Sequence, residues 1–311
     1  MVVRKMAAEN SKRWRVGDGW KLAMLTTAWM MMCGCGRASA NGPPAATGAR
    51  LAEIDDARDG LREHHRYHHH GGTTLFIAMA LDSLGVSLEQ RPAAMRFSTE
   101  LRARMEPARV AEEGLVMTLA DGVAGANFDE TSIDSSIAQV AAAAATAHDA
   151  SADTLNQLHA LLTPAQRDAL VDKVESHWTV WQRENGEENN PQDPERRRLA
   201  MLVADLGLTQ NQVDTIQTKL DDRMKTVPRF DPQEVTAYLR EFGASFRGEN
   251  FDAKTLTAGN GANAHIAGWG AVHLARFVET TSPLLTFEQR VQFAQKLREH
   301  ASHNQSNGGT P

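Results

Sequence analysis

Leu161-Leu162-Thr163-Pro164-Ala165-Gln166-Arg167 returns 123 residues later as Leu284-Leu285-Thr286-Phe287-Glu288-Gln289-Arg290. Two further echoes keep nearly the same register. Leu84-Gly85-Val86-Ser87-Leu88-Glu89-Gln90 returns after 122 residues as Leu206-Gly207-Leu208-Thr209-Gln210-Asn211-Gln212, and Phe128-Asp129 returns after 123 as Phe251-Asp252. In both copies the Phe-Asp pair precedes the Leu of the second Leu-Thr-x-x-Gln by 34 residues. Three echoes with one residue of slippage indicate an internal duplication, and an unrecognised repeat misassigns a whole fold.

Leu-Thr-x-x-Gln is a way to start a helix. Thr163, Thr209 and Thr286, with Ser87 in the first echo, stand at the N-cap, where a hydroxyl accepts from an orphan backbone N–H. Gln90, Gln166, Gln212 and Gln289 fall at N3, from which an amide reaches back to the cap N–H. Pro164 occupies N1, where a missing N–H costs nothing. Asp129 and Asp252 read as a second pair of caps. Phe128 and Phe251 are placed to staple onto Ile133 and Leu256.

Each copy reads as four helical segments without a strand. Ala, Leu, Gln, Arg and Glu dominate, and two-residue alternation is absent. In the second copy Ile216, Leu220, Met224 and Val227 recur at helical spacing, as do Val235, Tyr238, Leu239, Phe242 and Phe246. In the first, a long third segment carries Ile133, Ile137, Val140, Leu155 and Leu158 around the run Ala141–Ala145, which adds little side-chain bulk to a core. The expected organisation is an export signal at 1–40, a tether at 41–73, a first module at 74–182, a polar linker at 183–194, a second module at 195–303 and a disordered tail at 304–311.

The signal rests on a basic stretch, Arg4 to Lys21, followed by an apolar run from Leu22 to Met32 that is too short for a membrane span of about 20 residues. Ala38-Ser39-Ala40 fits a signal-peptidase site. Met32-Cys33-Gly34-Cys35 instead fits a loose lipobox with Cys35 lipidated. Either outcome leaves no disulfide, because Cys33 and Cys35 are the only cysteines. Residues 1–40 hold seven of the 33 Lys/Arg and two of the 39 Asp/Glu, so residues 41–311 carry 26 basic and 37 acidic groups, a net charge of −11 with neutral His. That balance argues against a nucleic-acid partner.

The order of these motifs resembles the Spy/CpxP family of exported helical proteins, defined by paired Leu-Thr-x-x-Gln motifs around a Phe-Asp pair. The resemblance covers about residues 75–303. It implies an all-α fold of helical-hairpin modules that pair antiparallel into a curved cradle. It implies a periplasmic protein, anchored to the outer membrane if Cys35 is lipidated. It also implies ATP-independent chaperone activity, inhibition of an envelope stress sensor, or metal response. Family members hold one module and dimerise. This chain holds two, so pairing within one chain as a pseudo-dimer and pairing between chains are both open. The candidate polypeptide-binding residues are Arg91, Met95, Arg96, Phe97, Arg102 and Met105, where cationic and apolar side chains interleave. The expected partners are unfolded or partner proteins, captured by charge and held by apolar contact.

The histidine cluster His64-His65-Arg66-Tyr67-His68-His69-His70 is the alternative candidate. On a helix His64/His68 and His65/His69 fall at i,i+4, a spacing at which two imidazoles grip one Zn, Cu or Ni ion. A periplasmic metal sensor or buffer would then use His64, His65, His68, His69 and His70. A His-rich tract with weak chelation explains the same residues, and so does joint protonation near pH 6. No cofactor is required. His148, His159, His177, His265 and His273 read as packing or surface residues, and Trp178 and Trp181 as module-closing core or an interface. Gly259-Asn260-Gly261 lacks the preceding strand that a dinucleotide fingerprint needs. No catalytic constellation is present, so an enzyme is not expected.

Overall fold

The run Gly72-Thr73-Thr74-Leu75-Phe76-Ile77-Ala78-Met79-Ala80-Leu81 is apolar on every side and forms a helix buried on every side, α1 (Gly72–Asp82). Such a helix belongs inside a protein, not on its surface. In the computed structural model, which describes residues 72–185 and 194–307, α1 is followed by α2 (Arg91–Arg104), α3 (Glu106–Gly125), α4 (Glu130–Ala145), α5 (Ala147–Leu161) and α6 (Pro164–Asn185). Then come α7 (Pro194–Leu206), α8 (Gln210–Met224), α9 (Pro232–Arg247), α10 (Ala258–Thr281) and α11 (Phe287–Asn307), with 3-10 turns at Ala253–Thr255 and Ser282–Leu284. Among the described residues there is no strand, so the chain is all-α.

The structure departs from the sequence pattern in four places. Helices α1 and α7 precede the first Leu-Thr-x-x-Gln of each copy and stand outside the expected four segments; in α1, burial on all sides leaves no 3.6-residue period to see. The long third segment of the first copy breaks at Thr146, whose hydroxyl donates to the Ala143 carbonyl. Asp252 caps the 3-10 turn Ala253–Thr255 rather than a long helix, and α10 begins only at Ala258, after Thr257, which makes no side-chain cap bond. Finally, α11 continues through Asn307, into the segment expected to be tail.

The cores are built across the two echoing segments. One cluster joins Phe76, Leu101, Leu158 and Val174 to Tyr238, Phe242 and Phe246. The other joins Leu115, Leu119 and Ile133 to Ile216, Phe277 and Leu297. Helix α10 runs through the middle, touching α1, α3, α4, α5, α8 and α9. Its Ala/Gly-rich sequence allows this many close neighbours. The Ala141–Ala145 run is put to the same use: α4 packs against α10 more extensively than any other helix pair, and a Cβ at Gly268 of α10 would lie 3.2 Å from that of Ala141. At Gly259 a Cβ would lie 2.4 Å from the His148 ring, so only glycine admits that histidine. None of the described helices is long and apolar enough to cross a membrane.

Candidate functional site

The reciprocal bonds of all four predicted capping boxes form, and those at Thr163, Thr209 and Thr286 open helices, whereas Ser87/Gln90 closes a turn ahead of α2, which begins at Arg91 with Gln90 at its N-cap. Thr209 and Gln212 bond reciprocally, and Ser87/Gln90, Thr163/Gln166 and Thr286/Gln289 do the same. The structure adds a long-range pairing. The Gln90 amide donates to Gln166 Oε1 at 3.0 Å, and the Gln166 amide donates back to Gln90 Oε1 at 2.9 Å. Gln90 also donates to the Leu161 carbonyl and Gln166 to the Gly85 carbonyl. Each amide thus uses both N–H groups and both lone pairs of its oxygen, the full capacity of the group. Gln212 and Gln289 form a second clasp of this kind, with the Leu284 and Leu206 carbonyls as further acceptors. The motif therefore starts two helices and fastens their N-termini together.

A second buried polar chain crosses the first core. His148 Nε2 lies 3.0 Å from the Ala253 carbonyl and Nδ1 lies 3.2 Å from the Tyr238 hydroxyl. A carbonyl only accepts, so Nε2 carries the hydrogen and Nδ1 accepts from Tyr238. Burial pushes the Tyr238 hydroxyl well above its ordinary value, which keeps that donor in place. Burial also holds the His148 imidazole below its ordinary 6.5, against the opposing pull of the Ala253 bond and of the Asp149 and Glu241 carboxylates. A depressed histidine contributes stability that is full above the unfolded value, about 6.5, and declines as pH falls from there towards the lowered native value. The denaturation midpoint of the wild type should therefore drop more steeply below pH 6.5 than that of His148→Gln. Parallel pH profiles for the two would refute this assignment.

The candidate polypeptide-binding residues divide between two faces of α2. Arg91, Met95 and Arg96 are exposed, with Met95 65 % accessible and the Arg96 guanidinium 4.8 Å over the Phe97 ring. Arg102 is half-buried and pairs with Asp82. Phe97 and Met105, expected at that surface, are instead buried with Ala94 and Leu101. Spacings of three and four from Ala94 through Phe97 and Leu101 to Met105 mark the inward stripe, and Met95 stands off it.

Outward, Leu88 in the turn before α2 is 74 % accessible, while Val110 and Met117 stand exposed on α3. Val110, Glu113, Gly114 and Met117 form one wall of a shallow groove of about 410 Å³, and Arg298, Ala301 and Ser302 of α11 form the other. Arg109 holds Glu113, and Arg298 reaches Asp121 across the seam at 2.7 Å. Sequence reading missed this groove because its two walls lie far apart in the chain.

His159, His177, His265 and His273 are structural in their settings. His159 lies between the Gly248 carbonyl and the Arg167 guanidinium, His177 stacks on Phe76, and His265 and His273 line the Phe230/Trp269 cluster. Trp178 and Trp181 are buried and stacked at 5.2 Å in that same cluster. The residues proposed for metal, His64 to His70, and for lipidation, Cys35, lie outside the described residues, as does the export segment. Among the described residues no group of three or more His, Cys, Asp or Glu is placed to hold a metal ion.

Residues 73–173 match the family model described as LTXXQ motif family protein. The match takes in α1 to α5, part of α6 and the first glutamine clasp; the second clasp lies beyond it. No curated protein and no solved structure matches the chain.

Proposed function

From the membership of residues 73–173 in the LTXXQ motif family, the family of Spy/CpxP-like proteins, we propose that this chain is an ATP-independent, chaperone-like or envelope-stress protein that binds unfolded or partner polypeptides without catalysing a reaction. Proteins of that family are typically periplasmic, and the basic and apolar stretch at the N-terminus supports export of this chain too. The observation that carries the reading is a set of exposed apolar side chains: Leu88 and Met95, close in sequence to Arg91 and Arg96, and Val110 and Met117, together in the groove wall of α3. Exposed apolar side chains grouped with charge mark contact surfaces. The purified chain at molar excess should suppress aggregation of an unrelated unfolding protein without ATP, and Met95→Asp with Met117→Asp should weaken the effect while leaving helix content unchanged. No suppression by the wild type removes the reading.

The second reading is metal response, favoured by the i,i+4 spacing of His64/His68 and His65/His69. Suppression only with added zinc would point to it. So would tight zinc binding without suppression, abolished when the five histidines are replaced by alanine.

The two echoing segments are best understood as copies of one module paired within the chain. Two features support this. Each core takes residues from both segments, and the ion pairs across the two seams have opposite polarity. Arg298 of α11 meets Asp121 of α3, whereas Glu175 of α6 meets Arg247 of α9. Pairing like copies would set acid against acid or base against base. Exposed pairs of this kind contribute little stability, but the repulsion they would cause in a like pair selects against it. Pairing requires both segments to unfold in a single transition; two transitions would overturn it.

A further inference from the structure

The groove between α3 and α11 has a counterpart between α9 and α6, and there the chain fills it. At the 123-residue register of the sequence echoes, Leu115, Leu119 and Val123 fall on Tyr238, Phe242 and Phe246, and all six are buried. On the facing helices, Phe293 and Leu297 fall on Leu170 and Val174, again all buried. In the same register Glu113 corresponds to Thr236, Gly114 to Ala237 and Ala301 to Trp178. Trp178 is only 5 % accessible, and its indole N–H donates to Thr236 Oγ1 at 3.0 Å. The groove thus has alanine where its counterpart has an indole. It has a carboxylate, Glu113, where the counterpart has the hydroxyl that accepts the indole N–H.

We propose that this groove seats an aromatic side chain of a bound polypeptide, tryptophan above all, with the ring over Val110, Gly114 and Met117 and the indole N–H donated to Glu113. The charge complementarity is specific: Glu113 is a partly buried acceptor beside an apolar floor, and an ionised acceptor gives a stronger bond to an indole N–H than a hydroxyl does. An indole supplies the large apolar face and the single donor that such a site requires. A second copy of the described chain cannot supply an indole, because Trp178, Trp181 and Trp269 are all buried. The inference rests on the polypeptide-binding reading and gives it a location.

The test uses the whole chain and two short peptides that differ only in a central tryptophan or alanine. Backbone NMR shifts at Val110, Gly114 and Met117 should follow the tryptophan peptide, with binding about tenfold weaker for the alanine peptide, as expected of an anchor residue. Ala301→Trp should close the groove with the chain's own indole, keep the fold and reduce binding by about the same factor. Met117→Gln, an exposed change, should also weaken binding if Ala301→Trp proves unstable. Equal binding of both peptides, shifts confined to other helices, or wild-type affinity in Ala301→Trp would overturn the proposal. Aggregation assays on the same proteins separate the two readings. Suppression lost in Ala301→Trp supports the groove as the client seat. Suppression retained there rejects the groove and leaves polypeptide binding standing. A wild type that suppresses nothing removes the broader reading, and the peptide shifts then judge the groove alone.

Discussion

Phe246→Ala is expected to destabilise the chain by about 3–5 kcal/mol, the range for deleting a buried aromatic ring, and to do so in both echoing segments at once. Phe246 is fully buried on α9. Its ring stacks on Phe242 at 5.1 Å and meets Phe251 edge-on at 4.9 Å. It also meets His159 of α5 edge-on at 5.2 Å, so the cavity would open onto a helix of the first segment. Because that core also holds Phe76, Leu101 and Val174, the loss cannot be confined to residues 195–307. Urea denaturation should show one transition with a lower midpoint and an unchanged slope, the signature of altered stability without altered exposed area. Hydrogen exchange should show amides of α5 and α6 losing protection together with those of α9. If only the second segment lost protection, the two segments would be independent domains.

What was legible in the sequence was local. The capping boxes at Ser87, Thr163, Thr209 and Thr286 each involve groups three residues apart, and all four form. The cap at Asp129 forms as well, accepting from Thr131 and Ser132. What was illegible depended on partners far along the chain. A capping box shows that Gln90 reaches its own cap, but nothing near it shows that the same amide closes on Gln166, 76 residues on. Asp252 has the same motif as Asp129, yet its carboxylate accepts from both Lys254 and Asn156 of α5. Its chain then makes a 3-10 turn before α10 can start. Phe97 and Met105 neighbour arginines in sequence, which points to the surface, whereas helical geometry groups residues by spacings of three and four. The groove is a further case: Glu113 and Ala301 acquire meaning only beside Thr236 and Trp178.

Asn263→Ala should be the most damaging polar substitution, at roughly 2–4 kcal/mol, because it leaves several buried groups without partners at once. Helix α1 begins inside the protein, so its first N–H groups cannot turn to water as those of a surface helix do. Asn263 of α10, itself completely buried, serves as their cap from another helix. Its Oδ1 accepts from the Thr73 hydroxyl at 2.8 Å and from the Thr74 N–H at 3.3 Å, while its Nδ2 donates to the Thr74 hydroxyl at 3.0 Å. Gly72 makes the approach possible: its φ is +59° and a Cβ there would lie 2.4 Å from Asn263 Oδ1. Asn260, three residues earlier on the same helix, is the control. It makes two bonds, to the backbone N–H and carboxylate of Asp149, but in an exposed setting where water can replace the lost partner. Asn260→Ala should therefore cost less than about 1 kcal/mol. Denaturation midpoints of the two variants, with exchange of the Thr74 amide, would decide between them. Equal losses would mean that α1 is held by its apolar side chains alone and that the buried asparagine is incidental to it.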